Sequence, residues 1–237
     1  MATPTLVQEA KNHGVYSTTP VTVVLPVAAT AGNSLTIVVT GAKLLDPNGV
    51  AGLAAATAAP VLKDNLGNVF TPATSKVNFD GDLGYWVSLY LYNATGIAGG
   101  NRTFTLTDLD ANGRPTFNGG LCIEVFEYTG VTTIDTAAVS KYNVATVASA
   151  NPAVAGTITT TVAGDLIFVA GLMRKSGEFT APAGFTMLST GKLVGTPNDY
   201  YGIMAGIQSA AGAITPGFVN PSQYEMAVAA LALKHSA

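Results

Sequence analysis

Charged side chains are scarce in this sequence: Asp, Glu, Lys and Arg together make up 11% of its 237 residues, against roughly a quarter in ordinary soluble domains. The formal net charge is −3, and the three arginines, Arg102, Arg114 and Arg174, are far apart. A phosphate backbone is bound by a cluster of cations that displaces counterions, so the sequence predicts no nucleic-acid partner. The single cysteine, Cys122, rules out an internal disulfide, and its place in an alternating strand reads as a small packed side chain. His13 and His235 are the only histidines, both near the chain ends, where solvent exposure is expected. Neither a Ser-His-Asp arrangement nor a zinc spacing can be built from them. No glycine-rich loop carries the Lys and Ser/Thr of a phosphate site. The expectation is a protein that is not an enzyme.

Long hydrophobic runs are missing too. Gly, Thr, Asn and Pro interrupt every apolar stretch before the roughly 18 residues a membrane helix requires, so no membrane partner is expected. Helix signals are nearly absent; the one Ala-rich stretch, Val50 to Ala59, contains Gly52 and lacks a clear cap. The N-terminal MATPTLVQEAKNHG has no positive region followed by an apolar one, which predicts synthesis in the cytoplasm without a signal peptide. Yet 48% of residues are hydrophobic and the mean hydropathy is +0.37. That excess has to be buried in a core or in subunit contacts.

What the sequence does contain is β pattern. Val, Thr, Ile, Tyr and Phe alternate in runs of five to ten between Gly, Asn, Asp and Pro clusters, which predicts an all-β fold, an antiparallel β-sandwich of jelly-roll type. The pattern also repeats in order. The run VTVVLPV from Val21 leads through Ala31-Gly32-Asn33 into Leu35–Val39, and TITTTVAGDLIFVA from Thr157 turns at Ala163-Gly164-Asp165. GNVFTP at Gly67 is answered by GFTML at Gly184, Tyr85-Trp86 by Tyr200-Tyr201, and LCIEVFEY at Leu121 by EMAVAALALK at Glu225. An internal duplication of five to six strands is therefore expected, with halves at 21–129 and 154–234 in one sandwich domain over 21–237. Residues 1–20 read as an N-terminal arm, and Asp135–Pro152 as the connector between repeats.

Few residues offer chemistry. Asp108-Leu109-Asp110-Ala111-Asn112-Gly113 reproduces the D-x-D-x-N-G opening of a calcium loop, with Asp108, Asp110 and Asn112 as oxygen ligands. Its twelfth position is Gly119 instead of a bidentate Glu, and a plain turn of Asp, Asn and Gly needs no metal. Calcium is the only cofactor the sequence suggests. Alternation from Tyr85 to Asn93 puts Val87, Leu89 and Leu91 on one face and Trp86, Tyr90 and Tyr92 on the other. If the aliphatic face enters the core, the aromatic stripe is available to stack on a sugar, to meet a subunit, or to be covered by the same chain. By the same alternation Glu124 shares a face with Cys122, Phe126 and Tyr128 and is expected to point outward; buried, it would require a partner.

The stretches TTTVAGDLIFVA from Thr159, VFEYTGVTTIDT from Val125 and QSAAGAIT from Gln208 resemble the Ala/Gly/Thr/Val-rich β-sandwich domains of bacteriophage virion proteins and some bacterial surface proteins. The resemblance covers most of residues 20–234 and implies a virion or surface context. The expected function is that of a structural protein of a virus particle, a bacteriophage decoration, minor-capsid or tail-associated subunit that binds other virion proteins and copies of itself. The alternative is a carbohydrate-binding or adhesin module using Trp86, Tyr90 and Tyr92, with a glycan as partner.

Overall fold

The computed structural model describes residues 3–15, 20–44, 60–80, 85–107, 120–144, 153–174, 178–194, 199–219 and 225–236. Among them are eighteen strands and no helix, and the strands pair antiparallel. The all-β, antiparallel sandwich class follows. Val50–Ala59 and the Asp108–Asn112 loop lie outside the described residues.

Gly130 separates nine strands from nine. The first set is β1 (Thr5–Val15), β2 (Val21–Val24), β3 (Ser34–Leu44), β4 (Val61–Asp64), β5 (Val69–Phe70), β6 (Pro72–Asp80), β7 (Tyr85–Ala94), β8 (Thr103–Thr107) and β9 (Gly120–Thr129). The second is β10 (Val131–Val144), β11 (Ala153–Val154), β12 (Ile158–Thr160), β13 (Asp165–Arg174), β14 (Phe185–Lys192), β15 (Asp199–Gln208), β16 (Gly212–Ile214), β17 (Gly217–Phe218) and β18 (Glu225–His235). Two five-stranded sheets result, in the orders β1-β9-β3-β7-β6 and β10-β18-β13-β15-β14. Position for position, the two orders are the same. Two expectations need correction here. The N-terminal arm contains β1, an edge strand paired with β9 along its length. The connector from Asp135 begins inside β10, which pairs with β18.

The five-stranded sheets lie face to face. Val38, Leu89, Leu91 and Phe126 of the first pack against Leu166, Phe168, Ile203 and Leu231 of the second, with the Phe126 and Phe168 rings edge-on at 5.3 Å. Strands β6 and β7 lie over β10, β13 and β18, while β1 and β9 meet β14 through Lys11, Glu124 and Ser189. The second sheet thus runs in reversed order across the first, as a two-fold axis between them would place it.

Each five-stranded sheet is also covered on its far face. A four-stranded sheet, β2-β8-β4-β5, closes over Leu35, Ile37, Tyr90, Tyr92 and Ile123 of the first. Two short ribbons, β11-β17 and β12-β16, cover Ile167, Val169, Met204 and Val228 of the second. Burial on both faces explains why β18 reads as a nearly continuous apolar run, whereas β8 alternates, with Phe104 and Leu106 inside and its threonines half-exposed. Each fully buried Leu or Phe contributes about 1.5–3 kcal/mol.

The matching corners form alike. Gly32 and Gly164 both take a positive φ, 86° and 93°, which a residue with a Cβ adopts at a cost. Each donates its amide to a carbonyl just past or at the end of the neighbouring strand, Ile97 at 2.9 Å and Gln208 at 2.7 Å.

Candidate functional site

Tyr90 and Tyr92 of the aromatic stripe are not on the outside. Tyr90 is 2% exposed and Tyr92 fully buried, both in the core beneath β2-β8-β4-β5, and the Tyr92 hydroxyl donates to the Pro60 carbonyl. Alternation along β7 is as expected, but both of its faces meet a core, so neither tyrosine can stack on a sugar. The Trp86 backbone pairs with Lys43 and Phe79, and its side chain lies outside the described ones. The calcium candidates Asp108, Asp110 and Asn112 also lie outside; among the described residues no three acidic, His or Cys side chains group as metal ligands.

Glu124 points inward, a second correction with the same cause: the face of β9 opposite the first core meets the second five-stranded sheet. Its carboxylate accepts from Ser189 Oγ at 3.1 Å, and that hydroxyl accepts from Lys11 Nζ at 3.2 Å. Burial pushes the Glu124 carboxyl above its usual range despite these bonds. Cys122 Sγ donates to the same carboxylate at 3.6 Å and lies 3.9 Å from His13 Nε2, which is 3.4 Å from the Tyr201 hydroxyl. Burial pushes the Cys122 thiol well up and the His13 imidazole down. A protonated thiol beside a neutral imidazole is a poor nucleophile. The cluster ties β1 and β9 to β14 and β15. His13, expected at an exposed terminus, is therefore an interior residue of a strand.

His235 is likewise held in place. Its Nδ1 lies 3.7 Å from Asp165, and its amide donates to the same carboxylate. Burial, then the hydrogen bond and charge of Asp135, push Asp165 up to about 6. Asp135 accepts from the Thr161 amide and hydroxyl and lies 3.7 Å from Lys234 Nζ. Burial acts to raise its carboxyl, but these bonds outweigh it and hold it below the usual range.

Two surface features remain, both on the first half's outer sheet. The register aligns Thr22, Thr105, Lys63 and Val69 in one row across β2-β8-β4-β5, with Val24 beside Thr103 and Val61 beside Thr107. Val24 and Val69 are more than half exposed, at 61% and 63%. Lys63 is the one charge in these rows. At the β5 end of the same sheet, a cleft of about 440 Å³ opens between residues 68–71, the 93–98 turn and Arg102. Arg102 is 2% exposed and paired with Asp64; its Nη2 donates to the Ala98 carbonyl at 2.7 Å, and its Nε has no partner. Asp64 in turn accepts from the amides of Leu66 and Asn68 and from the Asn68 side chain, closing the β4–β5 turn. The sequence carried little sign of either feature, since an arginine and an aspartate 38 residues apart give no local motif.

Comparison with known proteins finds no matching family model, no matching curated protein and no matching solved structure.

Proposed function

We propose that the chain is a structural subunit of a virus particle, a bacteriophage decoration, minor-capsid or tail-associated protein that works through contacts with other virion proteins and with its own copies. The observation that carries this reading is the outer face of β2-β8-β4-β5. Solvated sheet faces are ordinarily studded with charge, whereas here Thr22, Val24, Val61, Val69, Thr103, Thr105 and Thr107 surround a lone Lys63. A β-branched, nearly uncharged face suits burial against another protein.

The strand orders support the same reading. In the first half, the orders β1-β9-β3-β7 and β2-β8-β4-β5 in two packed sheets support the jelly-roll reading, an architecture found in viral capsid and lectin domains. The repeated order in the second half supports an internal duplication of that unit. Architecture alone assigns no activity, so the test is of assembly. Sedimentation of the purified protein and mass spectrometry of purified particles are expected to find it oligomeric or particle-bound. Val24→Lys with Val69→Lys is expected to weaken that association without lowering the melting temperature. A monodisperse monomer absent from any particle overturns the proposal.

A further inference from the structure

We infer that the cleft beside Arg102 binds a neutral, hydroxyl-rich ligand of mono- or disaccharide size, a site that does not depend on the assembly reading. Its volume of about 440 Å³ falls within the roughly 300–1,000 Å³ usual for small-molecule sites. The chemistry of its wall selects the ligand. Asn68, Asn93, Thr71 and Thr95 supply amides and hydroxyls that both donate and accept, as sugar hydroxyls do. Phe70, half-buried with its ring 5.8 Å from that of Phe104, supplies an apolar surface for the C–H face of a pyranose.

Charge decides against an anion. Arg102 is the only ionic residue of the lining, and Asp64 neutralises it from behind. Arg102 is nearly fully buried, its guanidinium held by Asp64 and the Ala98 carbonyl and its Nε closed off from solvent, so it presents no free cation to a ligand.

Amide chemical shifts of the full chain provide the test, with maltose, galactose and N-acetylglucosamine as neutral probes and acetate and phosphate as anionic ones. At least one sugar is expected to give saturable shifts at Asn68, Thr71, Thr95 and Gly96, with no comparable shift from either anion. Thr71→Trp, at an exposed rim position that leaves the Arg102–Asp64 pair untouched, is expected to fill the cleft and abolish binding. The inference is overturned by an absence of saturable shifts with all three sugars, by shifts mapping elsewhere, by anions shifting the same amides as strongly, or by undiminished binding in Thr71→Trp. The measurement needs no particle or oligomer, so its failure would leave the assembly proposal standing.

Discussion

Two sheets with the same strand order are covered in this molecule by two different lids. Over the first lies a four-stranded sheet, tied at its β4–β5 turn by the buried Arg102–Asp64 pair. Over the second lie two short ribbons, anchored by Phe179 and Phe218, whose rings meet at 4.5 Å. The aromatic pair fits because β13 and β15 set Gly171 opposite Gly202. A Cβ on Gly171 would come within 2.8 Å of both rings, and one on Gly202 within 2.5 Å of Phe179. The difference teaches that a shared sheet order fixes where a lid goes but not what holds it. A polar anchor needs its partner; an aromatic one needs a hollow.

That contrast can be broken at either lid. Arg102→Ala leaves Asp64 buried without its cation and is expected to cost about 3–5 kcal/mol in chemical denaturation. Replacing both partners with apolar residues of similar size, Arg102→Met with Asp64→Leu, is expected to recover most of that loss, unless the turn bonds to Asp64 dominate. Phe218→Ala empties the glycine hollow and is expected to cost about 3–5 kcal/mol, with no polar swap able to restore it. Full recovery of Phe218→Ala by any polar replacement would erase the distinction between the two anchors.

The paired corners sharpen the comparison through pH. At the first, the side-chain amide of Asn33 donates to Glu127, which also accepts from the Thr30 backbone amide and from the Gln8 side chain. At the second, the residue in the matching place is an acid, Asp165, set against Asp135 and His235. A carboxyl raised to about 6 in the folded state adds stability below the ordinary aspartate range of about 4, and that stability is lost as pH rises through about 6. Asp165→Asn is therefore expected to melt at the same temperature as the parent below pH of about 4 and higher than it above pH of about 7. An identical difference at both pH values would show that the carboxyl is not protonated in the fold. The smallest effect is expected at the outer edge. There Gln8 accepts from the Val27 amide through Oε1 and donates to the Val27 carbonyl through Nε2, each at 3.1 Å. Gln8→Ala is expected to cost about 1 kcal/mol, seen as a lower denaturation midpoint.

Alternation made most strands legible: the faces assigned to Leu89, Tyr90, Leu91 and Tyr92 of β7 and to residues 121–126 of β9 are those observed. What alternation cannot reveal is how many layers a sheet contacts. Glu124 was expected outside because one covered face was assumed, and cover of Tyr90 and Tyr92 by the same chain was one of three open alternatives; all three residues are buried because both faces of the sheet are covered. The same assumption hid β1 and β10. Their mixed polar and apolar sequences suit edge strands, in which Lys11 and His13 reach across to β14 and β15. The cleft drew on residues from three separate segments, 68–71, 93–98 and Arg102, and no spacing in the chain joins them.

The sequence by itself determined the all-β class, the antiparallel runs, the repeated corners at Gly32 and Gly164 and the alternation within β7 and β9. These are local properties, set by φ preferences and by a two-residue period. Tertiary structure alone decided that the two five-stranded sheets meet face to face and that both are covered again outside. It also decided that Glu124 needs Ser189 as its partner and that Arg102 lies between Asp64 and an open cleft. Those outcomes depend on which surfaces bury each other, and burial is a property of pairs of segments that no single segment encodes.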